Sequence, residues 1–225
     1  MIRAALLMAR KDLLLLCARG AGLAQALLLG LLLLFIFSLA RGIAEEFSAQ
    51  AASAVFWMAT LFCQVLIFNA LYALEEDNGQ RQALLMLPVP EQSIWAGKGL
   101  AGMVILLAAQ GVFIPATVVF LDQDIQGGLL GGLRLILTAD LGLAAAGSLL
   151  GALAQGRAAR ESLLSVIIFP LLLPLLLAAI RLGAEAISGA GLEEAENWFR
   201  LLLVFDGLFL AAGLALFGFI YNAQE

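Results

Sequence analysis

The sequence predicts an all-α integral membrane protein with six transmembrane helices, and two observations carry that expectation. Six stretches of the 225 residues are apolar for about 18–24 residues each, at 20–40, 51–74, 99–121, 133–155, 163–180 and 201–221. A helix needs roughly 20 such residues to cross a ~30 Å hydrocarbon core. The composition agrees: 63% of the residues are hydrophobic and 13% charged, so most of the chain can lie in lipid. Runs such as 27–36 show none of the alternating polarity that a membrane β-barrel strand requires.

Residues 1–19 precede the first span. Leu13, Leu14, Leu15 and Leu16 form a short apolar patch, but Lys11 and Asp12 break it upstream and no small-x-small cleavage site follows. The segment reads as a helix lying in the membrane interface. Ile2, Leu6, Leu13 and Leu16 would share one side, with Arg3, Arg10 and Lys11 on another, facing anionic headgroups. The alternative is an extension of the first span. Residues 20–225 form the six-span domain.

The basic residues orient it. A cytosolic N-terminus puts Arg3, Arg10, Lys11, Arg19, Arg81, Lys98, Arg157 and Arg160 inside, and Arg41, Arg134, Arg181 and Arg200 outside. Eight against four follows the positive-inside rule, which counts Lys and Arg in short loops. The net charge of −5 says little, because much of the acid lies in the outer loops. Six spans return the C-terminus to the cytosol.

Several chemistries are excluded by composition. The chain has no histidine, which removes the commonest general base, the commonest metal ligand and the usual proximal haem ligand. Cys17 and Cys63 belong to no metal-spaced cluster and are not expected to pair. No phosphate loop occurs, since Gly follows the lysine in Gly97-Lys98-Gly99 and the earlier glycine is missing. Nor is there a basic groove for nucleic acid. Any nucleotide that drives this protein binds elsewhere.

The polar gap at 75–98 is the most informative segment outside the spans. Glu75, Glu76 and Asp77 close the second span, and Asp77 with Gln80 can cap a short helix through Met86. Pro88 and Pro90 end it, because proline removes a donor and forces the preceding residue extended. Pro90 and Glu91 suit the start of the next helix, with Trp95 at the interface and Lys98 entering the membrane. Leu84, Leu85 and Leu87 would then be carried into the cytosol as a docking patch, or else lie in the headgroups.

The run Gly79, Gln82-Ala83-Leu84-Leu85-Met86-Leu87-Pro88-Val89-Pro90 and Lys98, after its acidic cluster, resembles the cytosolic loop of the cytochrome c maturation protein B family, the haem exporter membrane subunits. A second match, Gly156-Arg157-Ala158-Ala159-Arg160-Glu161-Ser162 followed by Pro170 and Pro174, is similar to that family's Arg-Ala-Arg-Glu turn and proline-bearing fifth span. The resemblance covers essentially the whole chain. It implies a type-2 ABC export permease in a bacterial inner membrane, working with a separate ATPase (as a dimer), a haem-handling membrane protein and a small membrane peptide. It also implies loading of haem onto a periplasmic chaperone. Glu75, Glu76, Asp77, Leu84, Leu85, Leu87, Pro88, Pro90, Arg157, Arg160 and Glu161 become the expected ATPase contacts. With no histidine here, haem ligands are expected on the partners, and this chain binds neither haem nor ATP alone. Met58, Met103, Cys63 and Tyr72 are its weaker candidate ligands.

Three features inside the spans complete the reading. Pro170 and Pro174 can act as a hinge or set a static kink. Gly147 and Gly151, with Ala144 and Ser148, form a small-residue face suited to close packing. Asp140 and Asp206 each follow an outer arginine, Arg134 or Arg200, by six positions, and so lie roughly 9 Å below it. They are expected either to line an outward polar cavity or to hydrogen-bond a neighbouring span. A secondary transporter would show repeated halves and midplane charges, neither of which is evident. An intramembrane enzyme would need a nucleophile–base pair. A permease of another type-2 exporter and a non-transporting scaffold are the remaining alternatives.

The topology makes a direct prediction. Reporter fusions after Gln50, Asp124 and Gly189 should report outside and those after Gly79 and Arg157 inside. An external report at Gly79 would reverse the orientation.

Overall fold

The computed structural model describes residues 1–40, 47–76, 88–154, 158–191 and 193–222, and its side-chain description omits 21, 76, 158–169, 221 and 222. Among the described residues the regular structure is all helical: α1 (Ile2–Arg19), α2 (Ala21–Ala40), α3 (Ala49–Glu76), α4 (Glu91–Leu121), α5 (Leu129–Leu153), α6 (Ala158–Ser188) and α7 (Ala195–Asn222). Six of them, α2 to α7, are long and apolar enough to cross a membrane. The chain is a multi-pass membrane protein.

Local chemistry sets the helix ends. Gly20, at φ +61°, separates α1 from α2 and donates its N–H to the Leu16 carbonyl at 2.9 Å, closing α1 as glycine commonly does. Ser48 caps α3, its Oγ accepting from the Ala51 N–H at 3.2 Å. Pro90 precedes α4, with Glu91 in the first turn. Gly189, at φ +64°, follows α6 and donates to the Glu185 carbonyl at 2.8 Å.

The spans differ in detail from the hydropathy reading. Helix α5 begins at Leu129 instead of 133, α6 continues to Ser188 instead of 180, and α7 begins at Ala195 instead of 201. Backbone hydrogen bonding does not stop at the hydrocarbon edge, and packing continues there. Leu182 and Gly183 are buried, and the Ile180 carbonyl accepts from the Ser53 hydroxyl at 2.8 Å. Helix α6 is unbroken through Pro170 and Pro174, with Leu172 and Leu175 buried beside them.

Helices α3, α4 and α5 form the centre, with α2 against α3 and α4, α6 against α3, α5 and α7, and α7 against α5. Glycine and aromatic residues interlock there. The buried Phe68 ring on α3 fills the space a Cβ would occupy at both Gly102 on α4 and Gly147 on α5. Tyr72 does the same at Gly151, Phe113 at Gly30 and Trp95 at Gly213. The small-residue face of α5 is thus a packing face against α3, the close approach that glycine permits between membrane helices. Trp95 is buried against α7, where Gly213 leaves room for its ring. Outward, α2 exposes Leu28, Leu32, Phe35, Ile36 and Leu39, as a lipid-facing surface should.

Phe68→Ala should therefore cost about 3–5 kcal/mol of stability, and Gly147→Val about 1–3 kcal/mol through overpacking. Thermal unfolding in detergent measures both. A Phe68→Ala variant as stable as the parent would show that the three-helix clamp is not formed.

Candidate functional site

Helix α4 carries Lys98 seven residues beyond its first, and the side chain is only 1% exposed. An ammonium in such a place needs compensating charge and hydrogen bonds. Its Nζ donates to the Leu71 carbonyl at 2.8 Å and lies 2.9 Å from the Glu75 carboxylate and 3.5 Å from that of Asp12. The same ammonium stands 4.6 Å from the centre of the Tyr72 ring, a cation–π distance. Lys11 closes the group, 3.1 Å from Asp12 and 3.3 Å from Glu75. Two cations and two carboxylates from α1, α3 and α4 thus meet in one buried cluster. Asp12 is held by charge proximity, since neither of its oxygens has an aligned hydrogen-bond donor.

A polar chain extends from it. The Tyr72 and Ser148 hydroxyls share a hydrogen bond at 2.8 Å, and Ser148 Oγ lies 3.1 Å from the Trp95 carbonyl, to which it can donate. Helix α5 is thereby tied to the same level of the molecule. Helix α1 reaches the cluster by packing closely on α4: a Cβ at Gly97 would meet Met8 and the Ala5 carbonyl.

This changes the account of α1. Its buried residues are Ala9, Asp12 and Leu16, whereas Ile2 and Leu6, expected on the same side as Leu16, are exposed. The cluster draws Asp12 inward and so sets the helix rotation. The remaining exposed face mixes Leu6, Leu7 and Leu14 with Arg3 and Arg10.

Of the expected docking residues, Glu75 is 3% exposed and engaged inside the protein. Glu76 ends α3, while Pro88 and Pro90 lie on the approach to α4. Asp77, Leu84, Leu85, Leu87 and Arg157 lie outside the described residues, and Arg160 and Glu161 are described only as backbone of α6. The cluster therefore sits at the base of the 77–87 segment, bracing the helices on both sides of it.

Asp140 and Asp206 both lie well inside their helices. Each lies eleven residues into its helix, roughly 16 Å from the end. Asp140 is fully buried and accepts a 2.8 Å hydrogen bond from Gln110 Nε2 on α4. Asp206, 2% exposed, packs where a Cβ at Gly142 would stand, with Leu175 alongside. Neither lines the two cavities near the start of α5. Gln64, also buried, donates to the Leu143 carbonyl.

The weaker haem-ligand candidates are dispersed in role. Met58 is 37% exposed, Cys63 is buried and the Tyr72 hydroxyl is engaged by Ser148. No group of three or more His, Cys, Asp or Glu residues suited to a metal occurs among the described residues. Asp12, Gln64 and Gln110 were missed in the sequence. One signal was present: a lone lysine within an apolar helix demands an acid, and Asp12 is the single acid of residues 1–19.

The profile of the CcmB protein family matches residues 3–223. The chain belongs to the CcmB family. It is accordingly a membrane subunit of a haem-exporter ABC system of cytochrome c biogenesis. Comparison with curated proteins gives no match. In this CcmB chain the match runs from α1 through α7, so the ion cluster joins elements that all lie within the family's bounds.

The cluster makes two measurable predictions. Lys98→Met leaves the buried carboxylates of Asp12 and Glu75 to the partly exposed Lys11, and should cost about 3–5 kcal/mol. Lys11 adds a pH dependence. Burial opposes its charge, but Asp12 and Glu75 outweigh that and raise its pKa above 10.5. A raised lysine stabilises fully below its unfolded value and loses that contribution as pH climbs through the folded one. Thermal stability should therefore gain an alkaline loss above pH 10.5 that is reduced in Lys11→Met. Identical alkaline profiles for the two would remove Lys11 from the cluster.

Proposed function

We propose that this chain is the force-transmitting permease of an ABC haem exporter in a bacterial inner membrane, with both termini and the 75–98 hairpin in the cytosol. A separate ATPase, acting as a dimer, docks on the hairpin through Leu84, Leu85 and Leu87, with Glu76 and Asp77 at its rim and Arg157, Arg160 and Glu161 on a second contact. Motion of the ATPase is passed to the spans, with Pro170 and Pro174 as the hinge, and promotes release of a haem-loaded periplasmic chaperone. The haem-handling membrane protein and small peptide hold the cargo. This chain is not a catalyst; it supplies neither the nucleotide site nor the iron ligands.

One observation carries this reading. The helices flanking the 77–87 segment are locked to each other and to α1 by Lys98, Glu75, Asp12 and Lys11. A push on a segment braced in this way moves α1, α3 and α4 together, and α5 follows through Tyr72 and Ser148. A loosely held loop would absorb the same push. The absence of histidine from the sequence supports iron ligation by partners.

The test separates assembly from coupling. Leu84→Asp with Leu85→Asp should abolish copurification of the ATPase, because charge buried in an apolar groove costs several kcal/mol. Lys98→Met should leave copurification intact while lowering release of the haem-loaded chaperone at least several-fold. Retained ATPase binding by the double aspartate variant would show that the leucines face lipid. Unchanged chaperone release in Lys98→Met would favour a scaffold.

A further inference from the structure

The end of the bundle away from the ion cluster holds a double cleft between the start of α5 and the end of α6. One compartment, about 340 Å³, has Arg134, Glu185 and Glu196 in its lining. The other, about 240 Å³, is walled by Phe56, Trp57, Ile114, Val118 and Ile136. The two meet along shared residues, Gly127, Gly128, Gly132, Leu135 and Ala186. A charged chamber and an apolar one therefore adjoin at a common wall.

Three details define what fits. The wall is set back: a Cβ at Gly128 or Gly132 would meet nothing within 4 Å. The loop behind it is fixed, the N–H groups of Gln126 and Gly127 donating to the Ile187 and Ala186 carbonyls at 2.9 and 3.0 Å. The cleft adjoins lipid, since Leu129 and Leu130 beside it are 87% and 83% exposed on a membrane-spanning helix.

The charges are mixed. The Arg134 guanidinium is held 3.7 Å over the Phe199 ring, which orients it without neutralising it. It suits a phosphate, whereas Glu185 and Glu196 suit an ammonium that donates hydrogen bonds. Glu196 also lies 3.4 Å from the Arg200 Nε, so two carboxylates face two guanidiniums here, and a ligand carrying both charges matches them better than a purely anionic one. We propose that the double cleft binds one aminophospholipid from the adjoining leaflet, its phosphate at Arg134, its primary ammonium at Glu185 and Glu196, and part of an acyl chain in the apolar compartment. This site is independent of the ATPase reading, because it uses only the membrane location and the cleft.

The experiment places the full chain in nanodiscs of phosphatidylethanolamine, phosphatidylcholine or phosphatidylglycerol, extracts it in mild detergent and counts retained lipid by native mass spectrometry. One phosphatidylethanolamine should be retained at least several-fold better than either other lipid, because the choline headgroup cannot donate and the glycerol headgroup lacks the cation. Gly132→Leu places a side chain at the junction, its Cβ in open space, and should reduce retention about tenfold with thermal stability unchanged. Arg134→Gln and Glu185→Gln should each narrow the headgroup preference, while Leu214→Ala on α7 should not. Equal retention of all three lipids, or full retention in a folded Gly132→Leu variant, overturns the proposal. So does a photocrosslink from Leu133 to a polypeptide in place of lipid.

Discussion

Lys98 enters an apolar helix seven residues after it begins, and a charge in that place must be neutralised by protein. Its compensation determines much of the architecture at that end of the molecule. Glu75 comes from the last turn of α3, Asp12 from the middle of α1, and the Leu71 carbonyl and Tyr72 ring from the turn before Glu75. Removing a partner from such a group is far more costly than never having built it. The arrangement therefore specifies geometry more than it adds stability: it fixes the rotation of α1 and the spacing of α3 and α4.

Packing continues that constraint through the membrane. There is no hydrophobic driving force between helices in lipid, so close approach and buried hydrogen bonds must hold them. Phe68, seated against Gly102 and Gly147, couples α3 to α4 and α5. Gln64 to Leu143 and Gln110 to Asp140 add hydrogen bonds between the same helices. The ion cluster and this core thus share α3 and α4, which gives a displacement at the 77–87 segment a rigid route into the spans. Helix α2, which exposes much of its surface, is poorly suited to carry it.

The hydropathy of the chain was enough to place six helices, because length and composition alone decide whether a helix suits lipid. The small-residue face of Gly147 and Gly151 was legible for the same reason: glycines one turn apart admit a neighbouring helix wherever they occur. Helix ends were less legible. The segments around Leu129, Ser188 and Ala195 are helical, and hydropathy does not mark where backbone hydrogen bonding stops. Asp12 was the clearest omission. Its partner lies 86 positions away at Lys98, and its own surroundings suggest only a solvated interfacial acid.

The central claim is that the buried cluster makes α1 and the two hairpin flanks one mechanical unit. Hydrogen–deuterium exchange on the intact complex, comparing the parent with Glu75→Gln, tests it most directly. Losing one of the two carboxylates that both lysines share should raise amide exchange throughout α1 and at the Glu91 end of α4, while the core of α5 around Gly147 stays protected. Unchanged protection of α1 would show that it is held by apolar packing alone, and would contradict the account.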